Sequence, residues 1–186
     1  MTIMRRIPPE NAVAHTGRRP QSLRRCKRLV RDLHLPARRT LTLDATIEHL
    51  SQRRGRPIHL LPHELPPQFN GLWISSDTDD YIVFEQRLTP VHQHQVILHE
   101  LGHIVCDHNS PVINAKSSWP FLPSLNPAFV QRVLGREHAD TLAEQEAEFV
   151  GSLLGRRTVS WTLNPSFTVP SETQDIAARL STLLEQ

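Results

Sequence analysis

The segment from Val96 to Val105 places a His-Glu-x-x-His pattern inside an apolar run. The apolar flanks predict a buried helix, on which His99 and His103 lie one turn apart on the same face. Two imidazoles so placed can hold one Zn²⁺, with Glu100 beside them to take a proton from a water activated by the metal. Because a buried pair of histidines needs a polar partner, the pattern favours a metal site over two surface histidines on an ordinary helix.

A catalytic zinc usually has three protein ligands, so a third must come from elsewhere in the chain. A further histidine six residues after the second is absent, because Asn109 occupies that position. Downstream, Glu144 and Glu148 share one face of a predicted helix, whereas Glu146 is turned away and is expected to be a solvated surface charge. From the residues alone, a metal ligand on this face and a solvated acidic face remain close alternatives.

Small residues mark the sides on which the two helices are expected to meet. Gly102 is a poor helix former, and its missing side chain would let another backbone or a substrate approach closely. Ala147 and Gly151 lie on the same predicted face as Glu144. Close packing on this face would bring a carboxylate to the motif helix.

These segments together resemble the ImmA/IrrE family of metallopeptidases, a zincin-like group found mostly in bacteria, often beside helix-turn-helix repressors or in toxin–antitoxin loci. The matching features are the strand Asp80–Phe84, the stretch His92–His103 and the pattern Glu144-x-x-Ala147. The resemblance covers roughly residues 57–155. Its combination of His-Glu-Leu-Gly-His with a downstream Glu-x-x-Ala is more specific than either half.

The resemblance implies that His99 and His103 are zinc ligands, that Glu100 is the general base and that Glu144 is the third ligand. The family's second helix usually continues into Leu-Leu-x-Pro, whereas the matching segment here has no proline. This departure leaves the register open, so Glu148 is the reserve ligand.

The implied activity is that of a zinc-dependent endopeptidase hydrolysing a specific protein, such as a transcriptional repressor or an antitoxin. Zinc lowers the pKa of a bound water to about 7, and Glu100 would pass the water proton to the leaving amine. A further donor should stabilise the oxyanion, and the candidates for this role are Tyr81, His108 and His138.

Other polar residues near the motif allow two interpretations. His92 and His94 are interpreted as polar residues at the start of the motif helix rather than as ligands. Asp107 and His108 either orient a ligand imidazole or lie at the surface.

The charge distribution keeps a second hypothesis open, a catalytically silent zinc-containing regulator or toxin–antitoxin component that binds protein or nucleic acid. Residues 1–56 carry fourteen Arg or Lys against four Asp or Glu, and residues 57–186 carry seven against fifteen. A basic arm can bind nucleic acid or an acidic partner. A basic helical layer on an acidic catalytic body is favoured, because no aromatic residues interleave the arginines for base stacking.

Periodicity predicts one α+β domain of zincin-like fold, with a small β-sheet packed on the motif helix and a second long helix, and with arginine-rich helices at its N-terminal side. We expect it to span residues 21–186 with its core in 57–155, after a disordered or loosely attached lead in 1–20. Helices are predicted at 22–35, 43–54, 90–107, 126–154 and 172–184, strands at 57–62, 71–76 and 80–85, a hairpin turn at 77–79, and loops at 109–125 and 155–172.

The remaining composition predicts a cytoplasmic protein. We find no apolar run long enough to span a membrane and no apolar stretch typical of a secretion signal near the first residue. The two cysteines, Cys26 and Cys106, are far apart in sequence, and Cys106 lies in the predicted buried helix. Reduced core thiols are therefore favoured over a disulfide.

Overall fold

The structure is a computed structural model that describes residues 18–36, 41–65, 67, 69–76, 78–108, 112–113 and 141–158. It has an α+β architecture, as the sequence predicts. In chain order the elements are α1 (Arg18–Asp32), α2 (Leu43–Arg54), β1 (Ile58–His63), β2 (Gly71–Ser76), β3 (Asp80–Glu85), α3 (Pro90–Cys106), β4 (Val112–Ile113) and α4 (Thr141–Gly155). Within the described ranges, no helix is long and apolar enough to cross a membrane.

Helices α2 and α3 and strands β1 to β3 lie close to their predicted positions, and α1 and β4 correct the prediction. Helix α1 begins at Arg18 and ends at Asp32, before His34 takes a positive φ of 53°. Strand β4 lies within the segment 109–125, which the sequence predicts to be a loop. The strand could not be predicted, because two residues are too few to show an alternating pattern. The predicted lead at 1–20 is too long, because residues 18–20 belong to α1. Residues 1–17, the segment 126–140 and the predicted helix at 172–184 lie outside the described residues.

The sheet has the strand order β1-β3-β2-β4. Central strand β3 pairs parallel with β1 and antiparallel with β2, and β4 pairs parallel with the last two residues of β2. All six residues of β3 are buried, because strands flank it on both sides and α3 packs against it.

Helix α3 is the centre of the fold. It packs on β2 and β3 and on α4, and α1 packs against both α3 and α4. Its inward side chains Ile97, Leu98, Leu101 and Ile104 are at most 4% exposed and belong to the main apolar core. This burial holds the motif helix between the sheet and the two helices, which positions its polar residues.

Candidate metal centre

The backbones of α3 and α4 approach each other closely at two glycines. A β-carbon built on Gly102 would lie 2.3 Å from the carbonyl oxygen of Ala147, and one built on Gly151 would lie 2.9 Å from the carbonyl oxygen of Leu98. The glycines therefore allow an approach that any side chain would block. Because Glu144 precedes Ala147 by about one turn, this contact brings its carboxylate to the histidine face of α3.

Three side chains converge at the helix crossing. The Nε2 atoms of His99 and His103 lie 3.0 Å apart. The Glu144 carboxylate places Oε2 at 3.1 Å from Nε2 of His99 and Oε1 at 3.4 Å from Nε2 of His103. The predicted ligands are thus together, as one group whose donor atoms could hold a metal ion.

The spacing of these donors fits a zinc ion. Ligands at about 2.0–2.1 Å from a tetrahedral ion are separated by about 3.3 Å, close to the three distances in this group. Two imidazole nitrogens and one carboxylate are also among the donors that Zn²⁺ accepts. The three side chains differ in exposure. That of His103 is 3% exposed, whereas that of Glu144 is 40% exposed.

Electrostatics favours a cation at this point. Hydrogen bonds from His103 and His99 hold the pKa of Glu144 well below its usual range, so the carboxylate is anionic at neutral pH. Burial lowers the pKa of His99, but its hydrogen bond with Glu144 and the charges of Glu100, Glu144 and Glu148 raise it above its usual value overall. The group therefore attracts positive charge, which a metal ion can supply.

Glu148, the reserve ligand, lies at the other edge of the His99 ring. Its Oε2 is 3.6 Å from Nδ1 of His99, and its side chain is 74% exposed. It is not part of the group formed by His99, His103 and Glu144.

The side chain of Glu100 extends from α3 towards the beginning of β2. The residue is 4% exposed, and a β-carbon built on Gly71 would lie 3.3 Å from its Oε1 and 2.3 Å from Cγ1 of Val96. The missing side chain of Gly71 therefore leaves room for the carboxylate next to the strand. Glu100 is one residue from His99 and stands outside the three-residue donor group.

Glu146 is buried, which corrects its interpretation as a solvated surface charge. It is 6% exposed and accepts hydrogen bonds from Ser22 at 2.6 Å and Arg25 at 2.8 Å. Its Oε2 also lies 3.1 Å from Nε2 of His108. It does point away from Glu144, but α1 covers that side of α4 and replaces the solvent.

Two of the three predicted oxyanion candidates, His108 and Tyr81, have other contacts. Both ring nitrogens of His108 are engaged, with His103 at 3.0 Å and Glu146 at 3.1 Å, so His108 has no spare donor for an oxyanion. The Tyr81 ring stacks on His59 of β1 with centroids 5.2 Å apart. His138 lies outside the described residues.

The remaining polar residues near the motif separate into buried and exposed ones. His94 lies near the start of α3, as expected, and outside both groups of possible metal donors. It is fully buried, 3.4 Å from the Thr158 hydroxyl, and burial lowers its pKa. His92 is exposed beside the Thr89 hydroxyl, as expected for a residue at a helix start. The side chain of Asp107 is 85% exposed and lies 3.6 Å from Arg54, so Asp107 has the surface role.

Two hollows flank His99. One of about 690 Å³ runs between α1 and α4, with Ser22, Glu144 and Phe149 in its wall. The other, of about 540 Å³, lies between α3 and α4 beside Leu98 and Gly151. His99, with 26% of its side chain exposed, is therefore accessible from the surface.

A second group of possible metal donors lies where α1 packs against α3 and α4, and it consists of Cys26, Cys106 and Glu146. Burial raises the pKa of both thiols, that of Cys106 to about 12, so both are neutral. The one carboxylate in this group already pairs with the Arg25 guanidinium at 2.8 Å. Its charge is thus balanced within the protein, which favours the His99 group as the cation site.

No family model, curated protein or solved structure matches this chain. The geometry of the donor group and the pattern of the motif helix therefore carry the functional argument.

Proposed function

We propose that this protein is a zinc-dependent endopeptidase of zincin-like fold, resembling the ImmA/IrrE metallopeptidases, that cleaves a specific protein such as a transcriptional repressor or an antitoxin. One observation carries the proposal. The Nε2 atoms of His99 and His103 and the carboxylate of Glu144 lie 3.0 to 3.4 Å from one another, with Glu100 buried beside them.

A zinc ion held by His99, His103 and Glu144 would acidify a water molecule and polarise the carbonyl of a scissile peptide bond. The two imidazoles contribute Nε2 lone pairs, and Glu144 contributes the negative charge that neutral imidazoles lack. Glu100 accepts the proton of the attacking water and transfers it to the leaving amide nitrogen. Its burial between α3 and Gly71 holds the carboxylate in place for both transfers.

Glu100 is the residue that favours catalysis over a structural metal site. A site that only stabilises the fold needs its ligands, whereas Glu100 lies outside the donor group. Proton transfer during peptide hydrolysis gives the Glu100 carboxylate a chemical role that a structural metal site does not need.

The second candidate function is a catalytically silent regulator that binds protein or nucleic acid, and the surface of α1 favours it. Arg24, Lys27 and Arg28 are exposed, so the helix presents positive charge outward. The side chain of Arg25 is 44% exposed, but its guanidinium pairs with Glu146 at 2.8 Å, which agrees with a basic layer on an acidic body.

Substitution of Glu100 separates the two functions. The wild type, Glu100→Gln and the control Glu48→Gln, an exposed carboxylate on α2, are each co-expressed with repressors encoded nearby. Mass spectrometry measures cut fragments, and elemental analysis measures zinc. We expect Glu100→Gln to keep zinc and the folded state while cleavage falls at least about 100-fold, and Glu48→Gln to cleave as the wild type does.

Three results would count against the proposal. Unchanged cleavage by Glu100→Gln would remove its role as the base, and loss of zinc from this variant would make it a ligand. A zinc-loaded wild type that binds a partner without cutting it would favour the silent regulator.

A further inference from the structure

The side of His103 that faces away from Glu144 contacts a chain of buried polar groups. Its Nδ1 lies 3.0 Å from Nδ1 of His108, and Nε2 of His108 lies 3.1 Å from Oε2 of Glu146. We propose that His108 and Glu146 position the His103 imidazole for metal binding, and that Arg25 of α1 holds Glu146 in place. This inference rests on the proposed metal centre and adds three residues to it.

The backbone at the end of α3 places the His108 ring next to the His103 ring. Asp107 takes a left-handed conformation with φ 55° and ψ 45°, and the backbone N–H of His108 donates to the carbonyl oxygen of His103 at 3.1 Å. The chain therefore turns back on the helix, and the two imidazole rings meet at 71° with centroids 5.1 Å apart. The side chain of His108 is 13% exposed in this position.

The contacts require one arrangement of protons. If Nε2 of His103 presents a lone pair to a metal, its Nδ1 carries the hydrogen and donates to Nδ1 of His108. Neutral His108 then carries its hydrogen on Nε2 and donates it to Glu146. A neighbour that fixes which ring nitrogen is protonated also fixes the orientation of the ligand ring.

Glu146 is held as an acceptor by groups on α1. Its Oε1 accepts from the Ser22 hydroxyl at 2.6 Å, and its Oε2 accepts from Nη1 of Arg25 at 2.8 Å. Arg25 balances the buried negative charge, so the carboxylate receives the His108 hydrogen and does not donate one. Nη2 of Arg25 also donates to the carbonyl oxygen of Cys106 at 2.9 Å, which joins α1 to the end of the motif helix.

Nitrogen NMR of the zinc-loaded protein tests the proton arrangement directly. We expect the hydrogen on Nδ1 of His103 and on Nε2 of His108 in the wild type. In Glu146→Gln we expect His108 to become a mixture of tautomers, because an amide can either accept a hydrogen from Nε2 or donate one to it. A wild-type His108 protonated on Nδ1 alone would overturn the proposal.

Zinc affinity, measured by competition with a chelating dye, tests the consequence. We expect His108→Ala and Glu146→Gln to bind zinc about 10- to 100-fold more weakly than the wild type. His108→Asn keeps an oxygen near the position of Nδ1, so it should lose less affinity than His108→Ala. A purely structural loss would instead affect both His108 variants alike. The control His92→Ala, at an exposed histidine of α3, should bind as the wild type does.

Arg25→Ala should weaken zinc binding more than Arg24→Ala, because the Arg25 guanidinium donates to Glu146 at 2.8 Å. Arg24, an exposed arginine of the same helix, is the matched control. Wild-type affinity in His108→Ala, or equal losses in His108→Ala and His108→Asn, would contradict the positioning role. If the wild type itself binds no zinc, the proposed function fails, while nitrogen NMR of His108 in the metal-free protein still decides whether its Nε2 donates a hydrogen to Glu146.

Discussion

Gly102 of α3 lies against the main-chain carbonyl of Ala147 in α4, so closely that a β-carbon on Gly102 would be 2.3 Å from that oxygen. This contact sets the distance between the two helices that carry the donor group. Gly102→Ala should therefore push α4 away, destabilise the protein by about 1–3 kcal/mol and weaken zinc binding. Chemical denaturation and dye competition measure the two effects.

Gly155→Ala is the matched control for this prediction. The added carbon would lie 3.0 Å from Cδ1 of Leu98, the end of a flexible side chain that can move aside. We expect little change in stability or zinc affinity. A Gly102→Ala variant as stable as Gly155→Ala would show that the helices do not need this contact.

Glu144 and Glu148 face opposite nitrogens of His99, so their substitutions should differ. Glu144→Gln should lower zinc affinity more than about 100-fold, because partners outside the ligand set already account for about 10- to 100-fold. Glu148→Gln removes an exposed carboxylate 3.6 Å from Nδ1 and should have a small effect. The larger loss in Glu148→Gln would assign the third ligand one turn along α4.

The buried carboxylate of Glu85 makes part of the stability depend on pH. Hydrogen bonds from Arg87 lower the pKa of Glu85 from 4.5 to about 2, assisted by the backbone N–H of Leu65. Since the folded pKa is the lower one, this stabilisation is complete above about pH 4.5 and is lost as the pH falls towards about 2.

Glu85→Gln should therefore be less stable than the wild type by about 1–3 kcal/mol at neutral pH. The difference should shrink steadily between about pH 4.5 and about pH 2 in denaturant titrations. A difference that stays constant over this range would show that the Glu85 charge does not contribute.

Cys26 and Cys106 should be slow to react in the folded protein. They are 0% and 1% exposed, and burial raises the pKa of the Cys106 thiol to about 12. Because the thiolate is the reactive form, an aromatic disulfide reagent should label neither at neutral pH, and two thiols per chain after denaturation. Rapid labelling of the native protein would contradict this burial.

Much of the site could be predicted because several of its residues lie within one helix, where sequence spacing alone determines which side chains share a face. The spacing of His99 and His103 and the small residue at Gly102 follow from helix periodicity within one segment. The signals that bound helix α2 are equally local, because it begins after its N-cap Thr42 and ends before its C-cap Gly55, which has a φ of 71°. Small residues on two helix faces predicted that a carboxylate of the second helix could reach the histidines, and the family resemblance selected Glu144.

The environment of Glu146 could not be predicted in the same way, because α1 supplies it from more than a hundred residues away in sequence. The helical spacing of Leu23 and Cys26 predicts that both face the core, but Leu23 is 40% exposed. Ser22 lies one turn before the buried Cys26 and occupies the inward position instead. The polar residue Ser22 on the buried face of α1 is the sequence signal that a buried polar group, here Glu146, packs against this helix.

Diffraction at the zinc absorption edge, from crystals soaked in zinc, tests the central claim most directly. We predict an anomalous peak about 2.0–2.2 Å from Nε2 of His99, Nε2 of His103 and a carboxylate oxygen of Glu144. A peak beside Cys26 and Cys106, or none in the protein, would contradict the proposed metal centre.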